Sequence, residues 1–453
     1  MSSTHVETIA RNIGADAASF ASLPLPLARR VFLALPPDAR GRACCVCRAW
    51  RDVLAEPALW SRLDMSVVSR LDQRHFDSVL QGAAGRAHGL CQLDFSQQSV
   101  SRKMLLPVLT ANAGSLRELH LHVVNAHGDS VSTPTVKAVV AAAPLLRVLT
   151  AGYVSCMWED APRLLRADPP FALLQLRRSL EVRFEDEFNR VGGIARVGPF
   201  AAALADVALQ PALSRLFVMF AALQPAVVMG ALADAALARR LREITFFDCT
   251  PPAAAPLARL LAEGSLSVFD FHSSPHFLDL RTPLFDAAGA ALVAHALRMN
   301  TTLTKLRLDS QHVCVDMHAA ELVLSALEGH LSLRELRLTP GRKAEAAEDR
   351  SAFGAALAAL IAADAPALHT LNCSCNSLGD AGLEPIVEAL ALNRHLRELD
   401  LRGNDMSEAF ARERLLPVVR ASTTLRELMC AYCGLWPAAM EAEELVRSRG
   451  QHA

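Results

Sequence analysis

Two cysteine pairs, Cys373-x-Cys375 and Cys430-x-x-Cys433, are the first place to look for chemistry, because four thiolates in two close pairs can hold a zinc ion. Their setting argues against it. Cys373 and Cys430 stand where a buried strand residue recurs along the chain, and Cys433 stands at a position that often carries Asn or Cys in such patterns. Structural cysteine is therefore the expectation, with no metal assigned. The histidines are scattered; His120 and His122 lie one strand face apart and read as surface residues. There is no Gly-rich phosphate loop, no His pair at helical ligand spacing and no nucleophile elbow. A recurring Arg-Glu pair (Arg117-Glu118, Arg242-Glu243, Arg334-Glu335, Arg397-Glu398, Arg426-Glu427) has the chemistry of an anion reader. Its recurrence instead predicts a ladder of exposed ion pairs between adjacent strands, each worth under about 1 kcal/mol. The expectation is a chain that is not an enzyme and carries no cofactor.

Composition bounds what surrounds these residues. The 453-residue chain is 52% apolar and 21% charged, which predicts folded structure throughout, in more than one core. Aromatics make up only 5%, the economy of stacked repeats in which small residues let neighbouring units approach. A net charge of −1 leaves no electrostatic footprint for nucleic acid or anionic lipid. No apolar run approaches 18 residues, so no transmembrane span is expected, and the first 18 residues lack the apolar centre of a secretory signal. Eleven cysteines without framework spacing point to a reducing compartment.

The most informative stretch is Ser22 to Leu63, SLPLPLARRVFLALPPDARGRACCVCRAWRDVLAEPALWSRL. Leu23, Leu27, Val31 (with Phe32) and Leu35 recur at helical spacing and predict one apolar stripe on a short first helix, which Pro36-Pro37 stops. Cys45-Val46-Cys47-x-x-Trp50 begins a second apolar face, and Glu56-Pro57-x-Leu59-Trp60 closes a third element. A unit of about 40 residues is marginal on its own, so its uncovered apolar surface predicts a partner protein.

This segment resembles an F-box, the module that binds the Skp-type adaptor of cullin-based (SCF) ubiquitin ligases. Leu23-Pro24 matches the opening Leu-Pro, and Leu27, Val31, Phe32 and Leu35 match the next apolar positions. Val46, Cys47 and Trp50 match the Val-Cys-x-x-Trp, and Leu59 and Trp60 the closing Leu-Trp. The resemblance implies that these eleven residues form the adaptor interface and its supporting core. Pro26 replaces a usual acidic residue, and Arg40, Ala43 and Cys45 stand where larger aliphatics are common. On that reading the changes remove adaptor contacts. A helical cap for the rest of the chain is the alternative for the same segment.

Beyond it, one nine-residue pattern, Leu-x-x-Leu-x-Leu-x-x-Asn/Cys, recurs from Leu90 to Leu425. Its clearest copy starts at Leu396. Others start at Leu90, Leu116, Leu146, Leu213, Leu241, Leu266, Leu303, Leu333, Leu368 and Leu425, with a degenerate copy around Leu180-Val182-Phe184. Such self-similarity predicts a solenoid, each unit giving one short parallel strand and one helix. The intervening NSLGDAGLEPIVEAL resembles the ribonuclease-inhibitor-like class of leucine-rich repeat. The expected fold is therefore α/β: a three-helix F-box at 20–63 after an N-terminal extension (1–19), a connector (64–89), a leucine-rich repeat horseshoe (90–435) with strands on the concave wall, and a C-terminal cap (436–453).

Period-two alternation turns the pattern leucines inward and the third, fifth and seventh positions of each unit outward. Phe217, Met219 and Phe247 fall on that outer row as apolar anchors for a target, and Lys305, Arg307 and Arg337 as basic guides toward an acidic or phosphorylated segment. A slip of one residue would return the aromatics to the core. Taken together, the chain resembles the F-box and leucine-rich repeat proteins. That resemblance implies a substrate-recognition subunit of an SCF-type ubiquitin ligase, partnered by a Skp-type adaptor, a cullin scaffold through it, and a target protein, in the cytoplasm and/or nucleus. A leucine-rich repeat scaffold or inhibitor outside any ligase is the second reading.

Overall fold

A computed structural model of the chain describes residues 24–65, 80, 89–123, 131–157, 160–171, 174–183, 202–203, 213–219, 230–233, 241–247, 253–272, 283–313, 316–339, 350–430 and 437–450. Leu23, Phe184, Cys433 and Trp436 lie outside the described residues, as does the side chain of Met219. The chain divides into two compact units, residues 1–156 with 166–179, and residues 157–165 with 180–453.

The described part of the first unit begins with three short helices, Leu25–Ala34, Pro37–Ala43 and Arg48–Leu54, and a 3-10 turn, Pro57–Trp60. Proline sets the boundaries. Pro24 caps the first helix, accepting from the amides of Leu27 and Ala28, and Pro37 begins the second, where a missing amide hydrogen costs nothing. Strand β1 (Arg62–Asp64) follows at once and pairs in parallel with β2 (Gln92–Ser99). The strand ladder thus starts one rung earlier than the Leu90 copy. β2 pairs with β3 (Glu118–Val123), and β3 with β5 (Val148–Met157), whose far end also takes the short β4 (Val131–Ser132).

The division between units falls within β6 (Leu174–Arg183). The second unit carries β7 (Arg215–Met219), β8 (Glu243–Phe247), β9 (Val268–His272), β10 (Lys305–Asp309), β11 (Glu335–Thr339), β12 (Thr370–Asn372), β13 (Glu398–Asp400) and β14 (Glu427–Met429). Each pairs in parallel with the next. Helices such as Ala254–Glu263, Ala287–Met299 and Ser351–Ala362 cross back between strands, so the fold class is an α/β solenoid behind a helical module.

Register explains the leucines. Leu216, Ile244, Phe269, Leu306, Leu336, Leu371, Leu399 and Leu428 share one rung row, and all are buried. The neighbouring buried row includes Val218, Phe246, Phe271, Leu308 and Leu338. Burying each such side chain stabilises the stack by roughly 1.5–3 kcal/mol, which suits a fold where every unit must hide one face on the next. Cys373 and Cys430 belong to this interior. Burial, with Asp400 adding to it, pushes the Cys373 thiol up to about 12. Leu180 and Val182 of the degenerate copy are buried in the same alternation.

A polar device recurs three residues before the strand-leading leucine. The Asn300 carboxamide oxygen accepts from the amides of Thr302 and Leu303, while its nitrogen donates to the Leu261 carbonyl one repeat back. Asn393 does the same with His395, Leu396 and Ile361. His330 takes that place with its ring Nδ1, accepting from Ser332 and Leu333. The glycines tighten the helix row: a Cβ on Gly354 would collide with the Gly382 carbonyl of the next helix, Gly379–Leu390.

Candidate functional site

The helical module sorts its apolar residues into an inner and an outer set. Phe32 is 1% exposed and meets Trp50 edge-on at 5.5 Å. Leu54, Leu59 and Trp60 are buried, and the Trp60 indole donates to the Leu54 carbonyl at 2.7 Å. Cys47 caps the third helix, its sulfur accepting from the Trp50 amide. Leu35 ends the first helix half-buried. By contrast Leu27 is 46% exposed, Val31 41% and Val46 59%, and Pro24 is exposed as well. The single stripe expected for the first helix is thus two. Phe32, with Ala28, faces inward; Leu27 and Val31 lie to one side of that line and stay open.

Leu25 and Leu33, also exposed, were not among the expected residues. The signal was present: a ten-residue helix with apolar groups on three sides cannot bury them all against two small neighbours. Of the eleven large apolar side chains exposed among the described residues, five (Leu25, Leu27, Val31, Leu33, Val46) lie in this short module. That concentration makes it the candidate docking surface.

Arg40 and Ala43, which stand where larger aliphatics are expected, both lie inside the module. Arg40 is only 7% exposed, and its guanidinium donates to the carbonyls of Leu35 (2.8 Å), Leu59 (2.5 Å) and Leu33 (3.0 Å) and sits 6.0 Å from the Trp60 ring centre. Burial lowers its pKa, yet a guanidinium keeps its charge at neutral pH. Arg40 therefore ties the end of the first helix to the closing turn. Ala43 is buried too, whereas Cys45 and Pro26 are exposed. Arg29 adds a surface link, bidentate to Glu56.

On the second unit the outer strand row is in the expected register. Phe217 and Phe247 alternate with buried Leu216, Val218, Ile244 and Phe246, so no slip returns them to the core. Their rings stack at 6.4 Å with 21° between planes, and Phe247 meets the His272 ring at 5.0 Å. The three rings therefore form a ladder across β7, β8 and β9.

The basic guides are partly spent. Lys305 pairs with Glu335 at 2.6 Å, and Arg337 pairs with the same carboxylate at 2.5 Å. Burial works to raise the Glu335 carboxyl, but hydrogen bonds from Lys305 and Arg337 outweigh it and hold it below the ordinary range. Arg307 lies 3.7 Å from Asp270, its strand partner, too far for a hydrogen bond, and burial raises the Asp270 carboxyl against the opposing pull of Arg307.

The Arg-Glu ladder is also different from expectation. Glu243 and Glu335 pair with Arg215 and Lys305, their partners on the same rung. Arg117 and Arg242 instead donate to loop carbonyls, because the residue just before the strand has the opposite facing. His120 bonds Thr150 across the sheet at 2.8 Å; the His122 side chain lies outside the described residues. Among the described residues no cluster of three His, Cys, Asp or Glu could hold a metal ion, and no helix is long and apolar enough to cross a membrane.

Residues 20–66 match the F-box-like family model. A curated relative, the putative F-box/LRR-repeat protein 22 of Arabidopsis thaliana, is 27% identical over 167 residues, 35% of this chain and 51% of that protein. The chain thus spans about half the length of the curated relative it matches. Two solved structures are similar at low scores. The Rad7–Elc1 complex in yeast is 14% identical over 90% of this chain and 94% of that one, with a TM-score of 0.36. The actin-binding site 2 of leiomodin-1 is 17% identical over 37% and 75%, with a TM-score of 0.22. At such scores neither bears on function.

Proposed function

We propose that this chain, an F-box-like domain followed by leucine-rich repeats, is the substrate-recognition subunit of an SCF-type ubiquitin ligase. The observation that carries the reading is the pairing of an F-box-like match over 20–66 with an open apolar flank, Leu27, Val31 and Val46, on that same module. A Skp-type adaptor would cover this flank and connect the chain to a cullin. The outer strand row of the second unit, with Phe217, Met219 and Phe247 as anchors and Lys305, Arg307 and Arg337 beside them, would hold the target. The chain's contribution to transfer is then proximity: it binds the acceptor near an activated ubiquitin and performs no covalent step itself.

The scaffold reading takes its motive from Pro26, Arg40 and Ala43; Arg40 and Ala43 are internal, which favours the ligase reading, while Pro26 is exposed and keeps its weight. The test is direct. Purified chain and Skp-type adaptor are mixed and their affinity measured, for wild type, for the Leu27→Asp, Val31→Asp double variant, and for Leu23→Ala, Pro24→Ala. Both residues of the first pair are open to solvent, so that variant keeps the wild-type unfolding curve while losing 30-fold or more in affinity, the scale of a hot spot worth about 2 kcal/mol. A wild-type chain that does not bind the adaptor ends this reading.

A further inference from the structure

This inference rests on the reading that the strand face of the second unit holds the target, and it names the class of that target. We propose that the target is an extended, unphosphorylated peptide. It lays a large apolar or aromatic side chain on the Phe217–Phe247–His272 rings and sets a single carboxylate, Asp or Glu, against the Lys305–Arg307–Arg337 cluster.

Three observations carry it. The first is the ring ladder itself, three rings set side by side on one outward strand row, an apolar platform for an incoming side chain. The second is charge complementarity. Lys305, Arg307 and Arg337 contribute three positive charges and Asp270 and Glu335 two negative, so the cluster carries one net positive charge. Glu335 occupies both Lys305 and Arg337, which leaves Arg307 without a hydrogen-bonded carboxylate. One positive charge suits one carboxylate. A phosphate brings about −1.5 to −2 and would stand against Asp270 and Glu335 without the cluster of free arginines that phosphate sites use.

The third observation is spacing. Phe247 is on β8 and Arg307 on β10, two strands apart at about 4.8 Å each, and Phe247 lies two rungs further along, at about 3.3 Å per residue, hence about 12 Å on the diagonal. An extended chain covers that in about three to four residues. The peptide therefore crosses the strands, with the apolar and acidic residues two to four positions apart.

The test uses the full-length chain and fluorescein-labelled ten-residue peptide pools. Each pool fixes Phe and, two to four residues away on either side, one of Glu, Gln, Lys or phosphoserine; binding is read by fluorescence polarisation. The Phe–Glu pools are expected to bind at least 10-fold tighter than the Gln and phosphoserine pools. Arg307→Gln should erase that preference, Arg307→Glu should shift it to the Lys pools, and Phe247→Asp should remove binding to all. If phosphoserine binds as well as Glu, or Arg307→Glu leaves the preference unchanged while Phe247→Asp removes binding, the face stands and the charge class is wrong. If no pool binds, or Phe217→Asp and Phe247→Asp variants with wild-type unfolding curves bind as before, the target face is wrong as well. Adaptor affinity, measured on the same variants, is independent of either outcome.

Discussion

Replacing Arg40 by Leu separates two accounts of the same residue. If Arg40 were a missing adaptor contact, a larger aliphatic would tighten adaptor binding. The structure requires the reverse, because the guanidinium closes the module from within through three carbonyls on two segments. Charge-assisted bonds of this kind are worth about 1.5–3 kcal/mol each, and the cost of burying the guanidinium, several kcal/mol, offsets part of their sum. Loss of the side chain also strands the Leu59 carbonyl in a buried place. The net expectation is a destabilisation of about 2–4 kcal/mol, large for a module of this size. Denaturant unfolding can be followed by the fluorescence of Trp50 and Trp60 in a background where Trp158 and Trp436 are Phe, with adaptor affinity measured by calorimetry. Arg40→Leu should unfold at lower denaturant and bind the adaptor more weakly; Arg40→Lys, one ammonium for three forked donors, should fall between. An Arg40→Leu chain that is as stable as wild type and binds more tightly would refute the clamp.

His330 accepts two amide hydrogens and burial lowers its pKa, with an opposing contribution from the Leu297 backbone. As the pH falls through about 6.5 the unfolded chain takes up a proton there before the folded chain does, so stability falls on acidification until the folded chain is protonated too. His330→Asn, which restores the arrangement at Asn300 and Asn393, should flatten that part of the stability–pH curve measured by denaturant titration between pH 7.5 and 5. Gly354→Ala drives a Cβ into the Gly382 carbonyl oxygen; helix separation should cost about 1–3 kcal/mol or more, whereas Gly114→Ala, with open space around it, should not show that steric loss. The Cys373 thiol, pushed up to about 12 by burial, should resist a thiol reagent at pH 8 in the folded chain and react on unfolding, while exposed Cys45 and Cys91 react at once.

The repeat pattern made the strands legible because period-two alternation and a leucine at fixed places are local properties. The buried rows at Leu216 to Leu428, the outward facing of Phe217 and Phe247, and the buried Cys373 and Cys430 all follow from it. The anchors at Asn300, His330 and Asn393 were equally readable, three residues before each strand-leading leucine, and went unread because a polar residue in a turn looks ordinary until its partner in the preceding repeat is seen. Other features were beyond any window of sequence. Whether Leu27 or Phe32 is buried depends on which side of one helix meets Trp50 and Leu59. Arg40 reads as a misplaced charge until Leu33, Leu35 and Leu59 converge on it. Lys305 and Arg337 look like free cations until the rung register sets Glu335 between them. Sequence by itself determined the repeating unit, its strand face and the F-box-like module, since these are set by spacing along the chain. Tertiary structure alone decided which apolar side chains remain open and which charges remain unspent, because both depend on neighbours about 20 to 40 residues away that only the stacking of one unit on the next brings within reach.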